Sequence, residues 1–126
     1  MSRHQDWRSI FDSLITCKFA GYPASLVTQL VNAATGWQMT PQDIISRGEK
    51  IFNLKRLINI NFGLTPVEDK LPKLLLEPLL EGGAKGKVPD IEMMLDEYYK
   101  FRGWDRKTGW PTVSKLKELG LSLKAK

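Results

Sequence analysis

The residues able to do chemistry are few, and they lie together near one end of the chain. Cys17 is the only cysteine in the 126 residues, Lys18 follows it, and Asp12 precedes it by five positions. A thiol beside a cation has the makings of a thiolate ligand or a redox group. From chemistry alone, a lone cysteine is more readily read as a small buried hydrophobe. One thiol cannot complete a structural zinc site or hold an iron–sulfur cluster, since each takes about four ligands. If Cys17 is a ligand, its companions therefore lie outside this chain. The only histidine, His4, sits at the start, so no Ser/His/Asp or Cys/His catalytic set can be assembled.

The elements around this stretch decide whether Asp12 and Cys17 can meet. Trp7, Ile10, Phe11 and Leu14 recur at helical spacing behind Asp6, which reads as an N-cap. The opening Met1-Ser2-Arg3-His4 reads as having no structure of its own. On a continuous helix, Asp12 and Cys17 would lie roughly 140° apart on the wheel. They can converge only if the helix ends or bends near Thr16, and Gly21 and Pro23 suit such an end.

Further along, Leu26, Val27, Leu30, Val31 and Ala34 mark a second helix ending at Gly36. Thr40-Pro41-Gln42-Asp43 is a strong helix start, with an N-cap threonine, proline at the first position and an acid in the first turn. The helix from Pro41 to Phe62 carries apolar residues on more than one face and is expected to be buried on several sides. Gly48 inside it points to close approach of another backbone. Asn59 and Asn61 read as capping or network residues.

Between Leu64 and Pro89, prolines and glycines break any long element, and Leu71 to Leu80 is expected to anchor on the core through short turns. Ala84 to Val88 reads as an exposed loop. A fourth helix from Asp90 to Arg102 shows Ile91, Met94, Leu95 and Tyr98 on one face, with Met93 and Met94 as core fillers. Trp104 and Trp110 should pack down the turn-rich segment before a last helix capped by Thr112, carrying Val113, Leu116 and Leu119 and closed by Gly120.

Apolar residues make up 42% and charged ones 26%, an ordinary globular composition for an all-α single domain of irregular helices and Pro/Gly-rich loops. No run of about 20 apolar residues suggests a membrane span. A single cysteine excludes an internal disulfide and suits a reducing, cytoplasmic setting. The net charge of +5 comes from scattered lysines and arginines without a zinc-finger or ribonucleoprotein motif, so a solvated basic face is expected and no nucleic-acid partner.

The residues then converge on a family. Asp12 and Cys17 with Lys18-Phe19, Thr35-Gly36, Thr40-Pro41, and Gly48-Glu49-Lys50-Ile51-Phe52-Asn53-Leu54 stand in order. They are followed by Asn59 to Gly63, Asp69-Lys70-Leu71-Pro72, Leu95-Asp96-Glu97-Tyr98-Tyr99, and Arg102-Gly103-Trp104-Asp105. Thr108-Gly109, Pro111-Thr112 and Leu119-Gly120-Leu121 close the series. In this order and spacing the chain resembles the C-terminal part of tungsten-containing aldehyde ferredoxin oxidoreductases.

The resemblance implies a tungstopterin (or molybdopterin), a [4Fe-4S] cluster, an aldehyde substrate, and ferredoxin as electron acceptor. It makes residues 1–126 a C-terminal helical domain whose partners are the upstream domains of the same enzyme, with no membrane partner. Alone, this piece is expected to be inactive and to bind no cofactor. By position, Asp12 would contact the pterin, and Cys17 would be the last cluster ligand, with no catalytic residue in this piece. Where the family motif has glycine and leucine before the cysteine, this chain has Ile15 and Thr16. The competing reading is a non-enzymatic helical interaction module with a basic surface.

Overall fold

The computed structural model describes residues 1–122. Within them run five α-helices: α1 (Ser2–Leu14), α2 (Ala24–Thr35), α3 (Pro41–Asn61), α4 (Ile91–Arg102) and α5 (Val113–Glu118). Short 3₁₀ turns at Lys18–Ala20, Pro66–Glu68 and Lys73–Leu76 punctuate the loops, and no β-strand occurs among the described residues. The chain is all-α, as its periodicities imply. None of the described helices is long and apolar enough to cross a membrane.

The long α3 is the spine. Its start is fixed locally, because the Thr40 hydroxyl accepts from Asp43 N at 3.2 Å and the Asp43 carboxylate accepts from Thr40 N at 2.7 Å. α1 lies along α3 as the main helix pair, α2 packs on α3, and α4 touches α1. Ile10 and Phe11 of α1, Val27 of α2 and Ile44 of α3 form an aliphatic core, with Trp7, Val31, Met39 and Ile51 around it. Each such side chain taken from water contributes about 1.5–3 kcal/mol. The α1–α3 approach depends on Gly48. A Cβ there would sit 2.3 Å from the Asp6 carbonyl oxygen, which confirms the expected backbone contact.

Several expectations are overturned. α1 begins at Ser2 rather than Asp6, because the Met1 carbonyl already accepts from His4 N and Gln5 N. Asp6 is therefore no cap; it is buried inside the helix at 3% exposure. Leu71 to Leu80 is not anchored on the core. Leu71 is half-buried, but Leu74, Leu75, Leu76, Leu79 and Leu80 are all exposed. The prolines at 72 and 78 allow only a 3₁₀ turn here, too short to turn an apolar stripe inward.

α3 is bare on one side, with Leu54 and Ile58 exposed, as is Phe62 just past its end. Met93 and Met94 are exposed rather than core fillers, because α4 is rotated to put Tyr99 and Arg102 inside. Asn59 and Asn61 face solvent, and the buried asparagine is Asn53. Of the last helix, Leu116 alone is fully buried. The other boundaries fall close to expectation: Gly36 closes α2, Asp90 caps α4 by accepting from Met93 N, and Thr112 caps α5.

Replacing Gly48 by alanine should destabilise the chain by about 2–3 kcal/mol through overpacking, although alanine is the better helix former by about 1 kcal/mol. Denaturant unfolding of Gly48→Ala measures this, and an unchanged midpoint would show that the two backbones are not held at this distance.

Candidate functional site

The Asp12–Cys17 stretch lies where α1 stops. Ile15 takes a left-handed conformation (φ 55°, ψ 40°). Its N–H donates to Asp12 O at 3.4 Å, and that of Thr16 donates to Phe11 O at 3.1 Å. This is the reversed double hydrogen bond of a Schellman end, whose left-handed position ordinarily belongs to glycine. Ile15 is the only non-glycine residue with positive φ among the described residues. A β-branched side chain there costs about 1–2 kcal/mol. The resemblance places glycine at this position, and Ile15 takes the backbone conformation that a glycine there would adopt without strain.

The break brings the last turn of α1 back against the residues around Cys17. The Asp12 carboxylate pairs with Lys18 Nζ at 2.6 Å and with Lys55 Nζ of α3 at 3.6 Å. Arg8 Nη1 donates to Lys18 O at 3.3 Å, tying the turn to the body of α1. The hydrogen bond from Lys18 is the main reason the Asp12 carboxyl sits below its ordinary value, so it is ionised at neutral pH. Cys17 is free and exposed, not the buried core thiol that composition alone allowed. Its neighbours Ile15 and Phe19 are 93% and 94% exposed. The chain thus presents a reachable thiol between bare apolar side chains, beside an ionised carboxylate held by two lysines.

Among the described residues no three His, Cys, Asp or Glu side chains converge as a metal site. The donor set fits one ligand of a cluster, not a complete one. Sequence reasoning missed Lys55 and Arg8. Lys55 is far from Asp12 along the chain, and only the packing of α1 on α3 brings it near.

A second polar constellation lies in an open groove of about 850 Å³ between α3, α4 and the loop at Leu64–Leu71. Arg56 forks onto Asp69, with Nη1 at 2.9 Å from Oδ1 and Nη2 at 2.7 Å from Oδ2. Its Nε donates to Gly109 O at 3.0 Å, and its guanidinium lies 4.6 Å from the Trp104 ring centroid. The Tyr99 hydroxyl donates to Asp69 Oδ2. Burial and that bond push the Tyr99 hydroxyl up to about 12. It stays a donor at neutral pH, which suits a strut rather than an acid catalyst.

Trp104 Nε1 donates to Asn53 Oδ1 at 2.7 Å. No buried side-chain nitrogen or oxygen among the described residues lacks a partner. Arg56, Asp69, Tyr99, Arg102 and Trp104 therefore hold the domain together. Tyr99, Arg102 and Trp104, which carried the family resemblance at this end of the chain, are therefore buried framework.

The model describing domains 2 and 3 of aldehyde ferredoxin oxidoreductase matches residues 1–121. The chain is 44% identical over 121 residues to a tungsten-containing aldehyde ferredoxin oxidoreductase of Pyrococcus horikoshii, covering 93% of this chain and 20% of that protein. A protein of the same description from Pyrococcus furiosus is 42% identical over 122 residues, covering 94% of this chain and 20% of its own length. A third relative, also from Pyrococcus furiosus and described as an aliphatic sulfonate oxidoreductase, WOR-like subunit, is 30% identical over 123 residues. The chain spans about a fifth of the length of these relatives.

Placing glycine there in Ile15→Gly should stabilise the chain by about 1 kcal/mol, because it relieves left-handed strain at a position that buries almost nothing. Equilibrium denaturation reads this directly, and a loss of stability would mean that the strain is absent.

Breaking the fork with Asp69→Asn should cost about 2–3 kcal/mol at neutral pH, short of the full value for a wholly buried pair because Asp69 is partly exposed. Burial raises the Asp69 carboxyl, but the hydrogen bonds from Arg56 and Tyr99 outweigh it and hold the group below its ordinary value. Its contribution is therefore complete above about pH 4 and disappears as pH falls through the depressed value in the folded state. The stability gap between the parent and Asp69→Asn should close below that pH. A gap independent of pH would show that Asp69 is not ionised in the fold.

Proposed function

The chain belongs to the aldehyde ferredoxin oxidoreductase family, and on that premise we propose that it is the C-terminal helical domain of a tungsten- or molybdenum-pterin oxidoreductase. The complete enzyme oxidises an aldehyde, with water, to a carboxylic acid and passes two electrons through a [4Fe-4S] cluster to ferredoxin. The observation that carries this reading is the family match over residues 1–121, with Cys17 free and exposed just after a left-handed helix end of the kind that suits glycine.

In this reading the metal–pterin supplies the two-electron oxidation, and the cluster supplies one-electron relay. The part played by this chain is local. Cys17 contributes one thiolate, and the other ligands come from the upstream domains of the same enzyme, which are the chain's main partners. The ionised Asp12 carboxylate retains lone pairs beyond those facing Lys18 and Lys55, so it can accept a pterin N–H. Ile15 and Phe19, bare in this chain, suit an apolar wall around the ligand that excludes water and tunes the cluster. A chain with one cysteine holds no [4Fe-4S] cluster by itself, so residues 1–126 alone are inactive.

In the complete enzyme, Cys17→Ser should lower iron content and alter or abolish the paramagnetic signal of the reduced cluster. Unchanged iron and an unchanged spectrum would remove Cys17 from the ligand set.

A further inference from the structure

We propose that Lys55 is a positioning residue for the Asp12–Cys17 turn, clamping the Asp12 carboxylate from the middle of α3 and setting the reduction potential of the cluster that Cys17 helps to hold. The inference rests on the assignment of Cys17 as a cluster ligand, and its test separates the two.

The geometry is specific. Lys55 Nζ stands 3.6 Å from Asp12 Oδ2 while Lys18 Nζ holds Oδ1 at 2.6 Å. Each carboxylate oxygen therefore has its own cation, one from the turn itself and one from another helix. Lys18 moves with the turn and cannot define where the turn lies relative to the rest of the domain. Lys55 can, because α3 is the spine on which α1 rests and the Gly48 contact fixes their separation.

In the free chain these side chains are about half exposed, at 41% for Asp12, 43% for Lys18 and 50% for Lys55. Solvent screens the pair at that exposure, and it contributes little to stability. Covered by cofactor and protein, the same charges would act through a lower dielectric and count for more. Reduction adds negative charge to a cluster already bound by thiolates, and the Asp12 carboxylate alone would oppose it. Two lysines against one carboxylate leave a net positive charge on the turn that carries Cys17. That balance favours the reduced cluster and raises its potential.

The test uses the complete enzyme, with iron content and an electron-paramagnetic-resonance redox titration as readouts. Lys55→Met keeps the length of the side chain but removes the charge. It should retain iron while its one-electron equilibrium moves about tenfold toward the oxidised cluster, or about 59 mV more negative. Lys55→Arg should restore the parent potential. Retained iron with an unchanged potential in Lys55→Met overturns the inference and leaves Cys17 as ligand untouched. If Lys55→Met loses iron and Lys55→Arg keeps it, the clamp is needed to hold the turn, which supports the positioning role. If both variants lose iron, the cation is not what matters and the inference fails. Iron retained in Cys17→Ser instead sinks the reading on which it rests.

Discussion

The guanidinium of Arg102 is the constraint on which the rest of the structure depends. It is fully buried, and its nitrogens donate to Asp6 Oδ1, to Ser2 O and Gln5 Oε1 at 2.9 Å each, and to the Tyr98 hydroxyl at 3.2 Å. Its flat face lies 4.1 Å from the Phe52 ring centroid. One side chain from the end of α4 thereby fixes the first turns of α1 and the flank of α3. Burying a charge is costly unless it is paired and fully hydrogen-bonded, and removing one partner of such a pair typically costs about 3–5 kcal/mol. Arginine suits the task because its donors form a rigid fork and its surface stacks on aromatic rings.

Arg56 repeats the arrangement on the other side of the same aromatic layer. It joins α3 to Asp69 in the loop and to Gly109 in the turn before α5. Trp104 stands between the two arginine sites, edge-on to Tyr98 and Tyr99 with centroids 5.7 Å away in each case. This half of the domain is thus held by charge and aromatic contact, while the aliphatic cluster of α1, α2 and α3 holds the other. The turn that carries Cys17 gains from both. α1 is clamped near its start by Arg102 and packed along its length on α3, so its far end is delivered to a defined place.

The surface shows the reverse pattern. Arginines lie inside while Phe19, Phe62, Leu74 and Leu80 are each more than three-quarters exposed. Bare apolar side chains in such number mark surfaces that meet other protein, and they suit a domain that spans about a fifth of its relatives' length. One of them, Phe19, lies two residues from Cys17.

What the sequence determined by itself was local. The Thr40-Pro41-Asp43 start, the glycine end of α2, and the Thr112 cap are decided by hydrogen bonds within a few residues, and each was legible. Gly48 was legible too, because a glycine inside a good helix weakens it unless a neighbouring backbone needs the room. Cys17 could be singled out because it is unique, and Asp12 through the resemblance. The tertiary structure alone decided that Asp6 is a buried partner rather than a cap, that Arg56 and Arg102 lie inside, and that the leucines of Leu74–Leu80 lie outside. It alone brought Lys55 to Asp12. These outcomes depend on which distant groups can satisfy a charge or cover an apolar side chain. Helical periodicity carries no record of such pairings, because it reports which residues share a face and not what that face will meet.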